Sequence, residues 1–271
     1  PGAYTYAAKP NWGNKPVNFL SWYDAARMAN WMTNGQSSGG TESGVYTFTG
    51  ISSIGAITRD LSDPDQVFIP TEDEWYKAAF HQPAAQGGDA DDYWLYATQS
   101  NSVPTIAIAT TTGDVANPGP DTVNYAGRAN WSVSTNGNVT TVGSAANTSF
   151  YGAFDMNGNL GEWHETLISG VRGYRGGFAT AFEDQLPATN RDVRNPVLTS
   201  SAAGVRLAAT VVPCNAADLA PPFGVLDNDD INAFITAFLT QHPSADIAAP
   251  FGLIDNSDVN AFITAVLAGC P

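Results

Sequence analysis

Apolar residues recur at helical spacing in four places along this chain, two before residue 83 and two after residue 230. The first run opens at Ser21, which suits an N-cap, with Asp24 three residues on to complete a capping-box-like pair. Ala25, Met28, Ala29 and Met32 then supply an apolar stripe that ends at Asn34-Gly35. The second run opens with Pro70-Thr71-Glu72-Asp73-Glu74, another capping box, and places Trp75, Ala78 and Ala79 to face inward before Pro83 stops it. Acids in a first turn favour the helix dipole, so Glu72 and Glu74 read as dipole partners ahead of a catalytic pair. Val45-Tyr46-Thr47-Phe48 and the piece from Thr105 to Thr110 have strand character, and Tyr4 and Tyr6 alternate in an extended or looping start.

The last two runs are copies of each other. Asp218 to Phe238 returns as Asp246 to Val266, a period of 28. Ile231, Phe234, Ile235, Phe238 and Leu239 in one copy, and Val259, Phe262, Ile263, Val266 and Leu267 in the other, fall on one helical face. Helices this short are expected to bury those faces against each other. Cys214 and Cys270 bracket the pair, which reads as a staple on a small unit and implies an oxidising compartment; two unpaired thiols are the alternative.

Between the helical ends, residues 86 to 148 are rich in Gly, Asn, Asp, Ser and Thr, and regular structure is expected to be scarce. Bound ions are one way to hold such a segment, with Asn124 and Asn138 as oxygen donors. Asp155-Met156-Asn157-Gly158-Asn159-Leu160-Gly161-Glu162-Trp163 follows. Asn157-Gly158 is a turn dipeptide, and Asn159, the Leu160 carbonyl and Glu162 offer the hard oxygens that calcium prefers; a plain tight turn with a solvated Glu162 fits the same spacing. Arg172, Arg175, Arg191, Arg194 and Arg206 lie among small and apolar residues, where pairing with carboxylates or carbonyls in the core is expected.

Composition narrows the partners. The 271 residues carry a net charge of -15, which argues against nucleic acid and anionic membranes and in favour of cations. No apolar run approaches the ~20 residues that span a bilayer, and the start at Pro1 without a leader reads as a processed chain. Sequons at Asn130, Asn138 and Asn147 fit an exterior location weakly. His81, His164 and His242 are too dispersed to suggest an iron triad.

Asn18 to Arg27, Ile69 to Trp75, Tyr151 to Trp163, Arg175-Gly176-Gly177 and Gly204-Val205-Arg206, in that order, resemble the formylglycine-generating-enzyme (sulfatase-modifying-factor) family. The resemblance implies a loop-rich α+β domain related to C-type lectins over residues 1–212. It implies calcium at Asn159, Leu160 and Glu162, and a second site near Asn124 and Asn138. The family's N-terminal strand and helix have no counterpart ahead of Tyr4, so that segment is expected either to have been cut from the precursor or to come from another chain. Members that make formylglycine hold copper through two cysteines shortly after the Arg-Gly-Gly element. Here Phe178 to Pro187 contains no thiol and no histidine, so copper and oxidase activity are expected to be absent. Gly161 stands where the family has an aromatic residue, and looser packing is expected around it.

Residues 213–271 resemble a dockerin, the paired calcium-loop module that plugs into cohesins, which implies a small all-α helix pair. Asp218, Asp227 and Asp230, with Asp246, Asp255 and Asp258, keep the outer ligand positions, but Ala and Pro fill the middle ones, so a metal-free pair is as well supported as a calcium-loaded one. Phe223 and Phe251 are expected to fill the gaps. The expected function is a non-catalytic extracellular or cell-surface binding and display protein, anchored through a cohesin-like partner. A self-assembling surface subunit (a homo-oligomer) and an enzyme with altered chemistry are the alternatives.

Overall fold

A computed structural model describes residues 9–36, 38–48, 57–62, 66–210, 215–220, 226–249 and 252–270. Tyr4, Tyr6, Cys214, Phe223 and Phe251 lie outside the described residues. In chain order the elements are α1 (Trp22–Thr33), β1 (Val67–Phe68), α2 (Glu72–Phe80), β2 (Thr105–Ile106), β3 (Thr122–Val123), β4 (Gly161–Ile168), β5 (Val171–Arg175), β6 (Asp192–Arg194), β7 (Ala203–Gly204), β8 (Ala208–Ala209), α3 (Asn228–Leu239) and α4 (Asn256–Ala268). They fall into two compact units, residues 1–60 with 67–208, and residues 61–66 with 209–271. The small unit thus takes in Leu61–Gln66 from early in the chain, where Gln66 and Thr210 exchange hydrogen bonds; sequence order alone does not reveal this.

The main unit is built on a four-stranded sheet of order β6-β5-β4-β7, antiparallel except for the β4–β7 pair. Both expected helix starts form. Ser21 and Asp24 cap α1 reciprocally, as Thr71 and Glu74 cap α2. The buried face of α1 is rotated from the expected stripe: Trp22, Ala25, Ala26, Ala29 and Asn30 are buried, while Met28 is exposed. Trp22 decides this, because its ring fits between Tyr46 and the Arg172 guanidinium, with its indole N–H on the His164 carbonyl.

Val45 to Phe48 is not a strand. The fully buried Asn30 side chain does the work of a neighbouring strand, accepting from Tyr46 N at 2.8 Å and donating to Tyr46 O at 2.7 Å. The strand expected from Thr105 to Thr110 shortens to β2, paired parallel with β3. Side-chain amides support the rest of that region: Asn117 bonds Ile106 O and Ile108 N, and Asn147 bonds Thr122 O. Asn147 is buried, so its sequon is not an accessible glycan acceptor in the folded chain.

In the small unit α3 and α4 meet through Phe234 and Phe262, stacked with ring centroids 4.1 Å apart. The helices do not bury the whole expected face. Ile231, Ile235, Leu239, Ile263 and Leu267 remain exposed, and the first four of them edge an apolar groove of about 290 Å³. Cys270 is disulfide-bonded.

Candidate functional site

The loop from Asp155 to Trp163 is held by backbone conformations that its residue types tolerate. Gly158 has φ +73°, and a Cβ there would lie 2.4 Å from Asn124 O, so only glycine fits; Asn159 at φ 60° and Asp155 at φ 54° also lie in the left-handed region. The turn is pinned on both sides: Gly158 N donates to Gly176 O at 2.7 Å, and Asn159 N donates to Asn124 O at 2.8 Å. Asn157 ties in two further loops through Ala97 N and Leu186 O.

Glu162 is not solvated. It accepts from the Trp75 indole at 2.6 Å, and Arg206 grips it from Nε at 3.1 Å and from a terminal nitrogen at 3.0 Å. The adjacent Glu162 charge raises the Arg206 pKa. Glu72 lies in the first turn of α2, as the dipole reading expects, and has the same kind of clasp role in addition. Its buried carboxylate receives Arg175 at 2.6 Å and Arg191 on both oxygens. Burial pushes its pKa up, the two arginines pull it down further, and it ends below the ordinary carboxylate range. Arg172 reaches the Glu165 and Ile57 carbonyls, so the expectation of core-paired arginines holds at Arg172, Arg175 and Arg206. Sequence alone did not give Glu72 away as a clasp, because its partners lie 103 and 119 residues later.

The expected looseness at Gly161 is corrected. The Tyr174 ring fills the space where a side chain would sit, only 2.2 Å from a Cβ placed there, and its hydroxyl bonds the Ala202 carbonyl. The aromatic ring beside Gly161 comes from the facing strand.

The five residues proposed for calcium in two sites of the main domain are arranged differently from that expectation. Glu162 faces Trp75 and Arg206, while Asn159 Oδ1 accepts from Thr140 N at 2.9 Å and from Asn124 Nδ2 at 3.3 Å. Asn124, Asn138 and Asn159 do come together. Asn124 Nδ2 sits among Asn138 O, Thr140 Oγ1 and Asn159 Oδ1, and Asn124 Oδ1 is buried without a donor. The three oxygens thus converge on the Asn124 amide nitrogen, which donates to them; the node offers carbonyl, hydroxyl and amide oxygens of the type a hard cation takes but no carboxylate, which limits affinity. Leu160 is buried in the neighbouring wall.

The stretch after Arg175-Gly176-Gly177 is closed by Ala179, Ala181 and Leu186, all buried. A cavity of only about 90 Å³ lies beside it, lined in part by Asn138, Asn159, Phe178 and Thr180. These residues do not fit copper, since none offers a thiolate or imidazole. No group of three or more His, Cys, Asp or Glu side chains is poised for a metal among the described residues. His164 is fully buried against Trp75 with both ring nitrogens unpartnered, and burial lowers its pKa to about 3, so it is neutral at physiological pH. Sequence reading passed over it as an isolated histidine.

In the tail the expected ligand acids serve as caps and braces. Asp227 and Asp255 are N-caps, accepting from Asp229 N and Ser257 N. Asp230 accepts from Leu219, Ala220 and Asp227 backbone N–H groups, and Asp258 from Ile247, Ala248 and Asp255. Asp218 is buried, and Asp246 accepts from Gly252 N while its Oδ1 is buried without a donor.

Two capped helices, a mixed four-stranded sheet and long side-chain-braced loops make the main unit an α+β domain of the C-type-lectin-like kind. Residues 5–211 match the sulfatase-modifying factor enzyme 1-like domain (FGE-sulfatase), and the chain belongs to that family. Among solved structures, CarF matches at 21% identity and TM-score 0.49, covering 74% of this chain and 69% of that one. Treponema denticola variable protein 1 matches at 16% and 0.44, covering 77% and 75%, and PvdO from Pseudomonas aeruginosa at 14% and 0.42, covering 73% and 63%. A comparison with curated proteins returned no match.

Proposed function

We propose that this chain is a non-catalytic binding and display protein of the extracellular space or cell surface. Its main domain is the binding scaffold, and its tail docks on a cohesin-like partner. The observation that carries the reading is the chemistry after Arg175-Gly176-Gly177. Buried alanines and Leu186 occupy the stretch in which the family's copper thiolates are expected, and both cysteines of the chain lie in the tail segment. Without a soft ligand there is no redox partner for oxygen chemistry. Calcium, in this reading, belongs to the Asn124, Asn138 and Asn159 node and braces the loops.

The tail reading is supported by the exposed apolar groove between α3 and α4, which a protein surface covers more favourably than water does. The absence of Lys and Arg from residues 214–271, against seven Asp, favours a basic rim on the partner. The full chain is therefore expected to bind an immobilised cohesin domain, and Ile235→Asp with Ile263→Asp to abolish that binding while the main domain still melts normally. Equal binding by the doubly substituted chain would contradict the docking reading. A competition titration with a Cu(I) chelator is expected to show no copper transfer to the protein; tight copper binding outside the tail would contradict the scaffold reading.

A further inference from the structure

A second cavity in the main domain, of about 340 Å³, is larger than the remnant beside Phe178 and differs from it in chemistry. Leu20, Met28, Met32, Leu160 and Leu207 form apolar walls, and Val17 stands at 67% exposure on the rim. Asp155, Glu162 and Arg206 also line it. Its volume lies at the lower end of small-ligand sites, about 300 to 1,000 Å³.

The charges in this lining do not balance. Glu162 and Arg206 satisfy each other through two hydrogen bonds, at 3.0 and 3.1 Å. Asp155 is left as the second carboxylate. It accepts from Gly143 N at 2.8 Å, and no Lys, Arg or His lies within ion-pair distance of it among the described residues. Burial raises its pKa, the cost of a desolvated carboxylate that lacks a close cation. The Asn159 side chain and the more distant Arg206 guanidinium also act on this carboxylate, but Arg206 is committed to Glu162. Asn159 lines the cavity too, but its Oδ1 accepts from Thr140 N and Asn124 Nδ2 and Glu162 is held by Arg206, so the lining offers fewer free oxygens than the about six to eight that calcium takes. An anionic ligand would meet two carboxylates whose one guanidinium is already matched.

We infer that the cavity binds an aliphatic ammonium, its carbon chain lying along Met28, Met32 and Leu160 and its –NH₃⁺ on the Asp155 carboxylate. A lysine side chain, with its four-carbon stem and compact charge, has this chemistry, as does a free alkylamine. Methionine walls suit such a guest because they adapt to a flexible chain. The inference rests on the main domain being a binding scaffold.

The test is calorimetric titration of the full chain, in the presence of EGTA, with n-pentylamine, n-pentanol, n-pentanoate and Nα-acetyl-lysine N-methylamide. The amines are expected to bind at least about tenfold tighter than the alcohol and the carboxylate. Asp155→Asn is expected to remove that preference. Val17→Trp, at an exposed rim position, keeps the test decisive if Asp155→Asn does not fold: it is expected to block the mouth and weaken amine binding by about tenfold or more. Tighter binding of the lysine derivative assigns the site to a peptide, and tighter binding of pentylamine to a free amine. Equal binding of amine and alcohol, no amine binding, a folded Asp155→Asn that keeps the preference, or a Val17→Trp that binds normally would each overturn the inference. Formylglycine formation by the chain would instead count against the scaffold reading, so the two failures are distinguishable.

Discussion

The two units handle their acidic side chains in different ways. In the main unit Glu72 and Glu162 are buried against arginines drawn from distant parts of the chain. In the tail segment, where residues 214–271 hold no Lys or Arg, Asp227, Asp230, Asp255 and Asp258 are bonded by backbone N–H groups of their own repeat. Long-range pairs weld loops that have little sheet to hold them, whereas local caps stabilise helices one at a time. A protein can therefore change its main-domain loops only where a clasp tolerates it, while each tail repeat carries its own brace.

The largest effect is expected at the double clasp. Glu72→Ala leaves the buried Arg175 without its carboxylate and is expected to cost the main unit about 3–5 kcal/mol, read by denaturant unfolding followed through tryptophan fluorescence. A loss below about 1 kcal/mol would erase the contrast between the units.

Acid should separate them next. The unfolded chain protonates His164 near pH 6.5, but the folded chain does so only near 3. Main-unit stability is thus full above about pH 6.5 and falls by up to about 1.4 kcal/mol per pH unit as the pH drops toward 3. Asp230 and Asp258 are held below the ordinary carboxylate range: at Asp230 burial opposes, but the Asp227, Ala220 and Leu219 N–H groups prevail, and at Asp258 the Asp255 N–H leads. Their contribution persists above about pH 4 and is lost as the pH falls further. Melting between pH 7 and 4 should weaken the main unit first, and His164→Leu should flatten that slope. An unchanged slope in the variant would assign the acid sensitivity elsewhere.

Gly161→Ala drives a methyl into the Tyr174 ring and is expected to cost about 1–3 kcal/mol, because the facing strand already supplies the aromatic. A neutral result would restore the looser packing expected from sequence. The smallest effects belong to the tail: Asp227→Ala and Asp255→Ala should each cost about 1 kcal/mol, and by nearly equal amounts, measured by far-ultraviolet circular dichroism melts. A large inequality would show that the repeats are not braced alike.

What could be read from the chain in advance was local. Ser21 with Asp24, Thr71 with Glu74, and the duplicated helices each announce themselves within a few residues, and all formed. The family motifs likewise pointed to the domain that residues 5–211 match. Features made by distant partners were not legible. Asn30 imitating a strand for Tyr46, Glu72 gathering Arg175 and Arg191, and Tyr174 filling the space at Gly161 depend on loop paths that no periodicity encodes. Of the candidate oxygen ligands, Asn159 lies beside Asn124 and Asn138, which were expected in a separate site, while Glu162 is committed to Arg206, a partner 44 residues away.

The central claim is that the main domain binds and does not turn over. The most direct measurement is incubation of the purified full chain with copper, oxygen, a thiol reductant and a cysteine-containing sulfatase-type peptide, with the peptide mass followed over time. The account predicts an unchanged cysteine at every time point. Conversion of that cysteine to formylglycine, at a rate above that of copper alone, would contradict it.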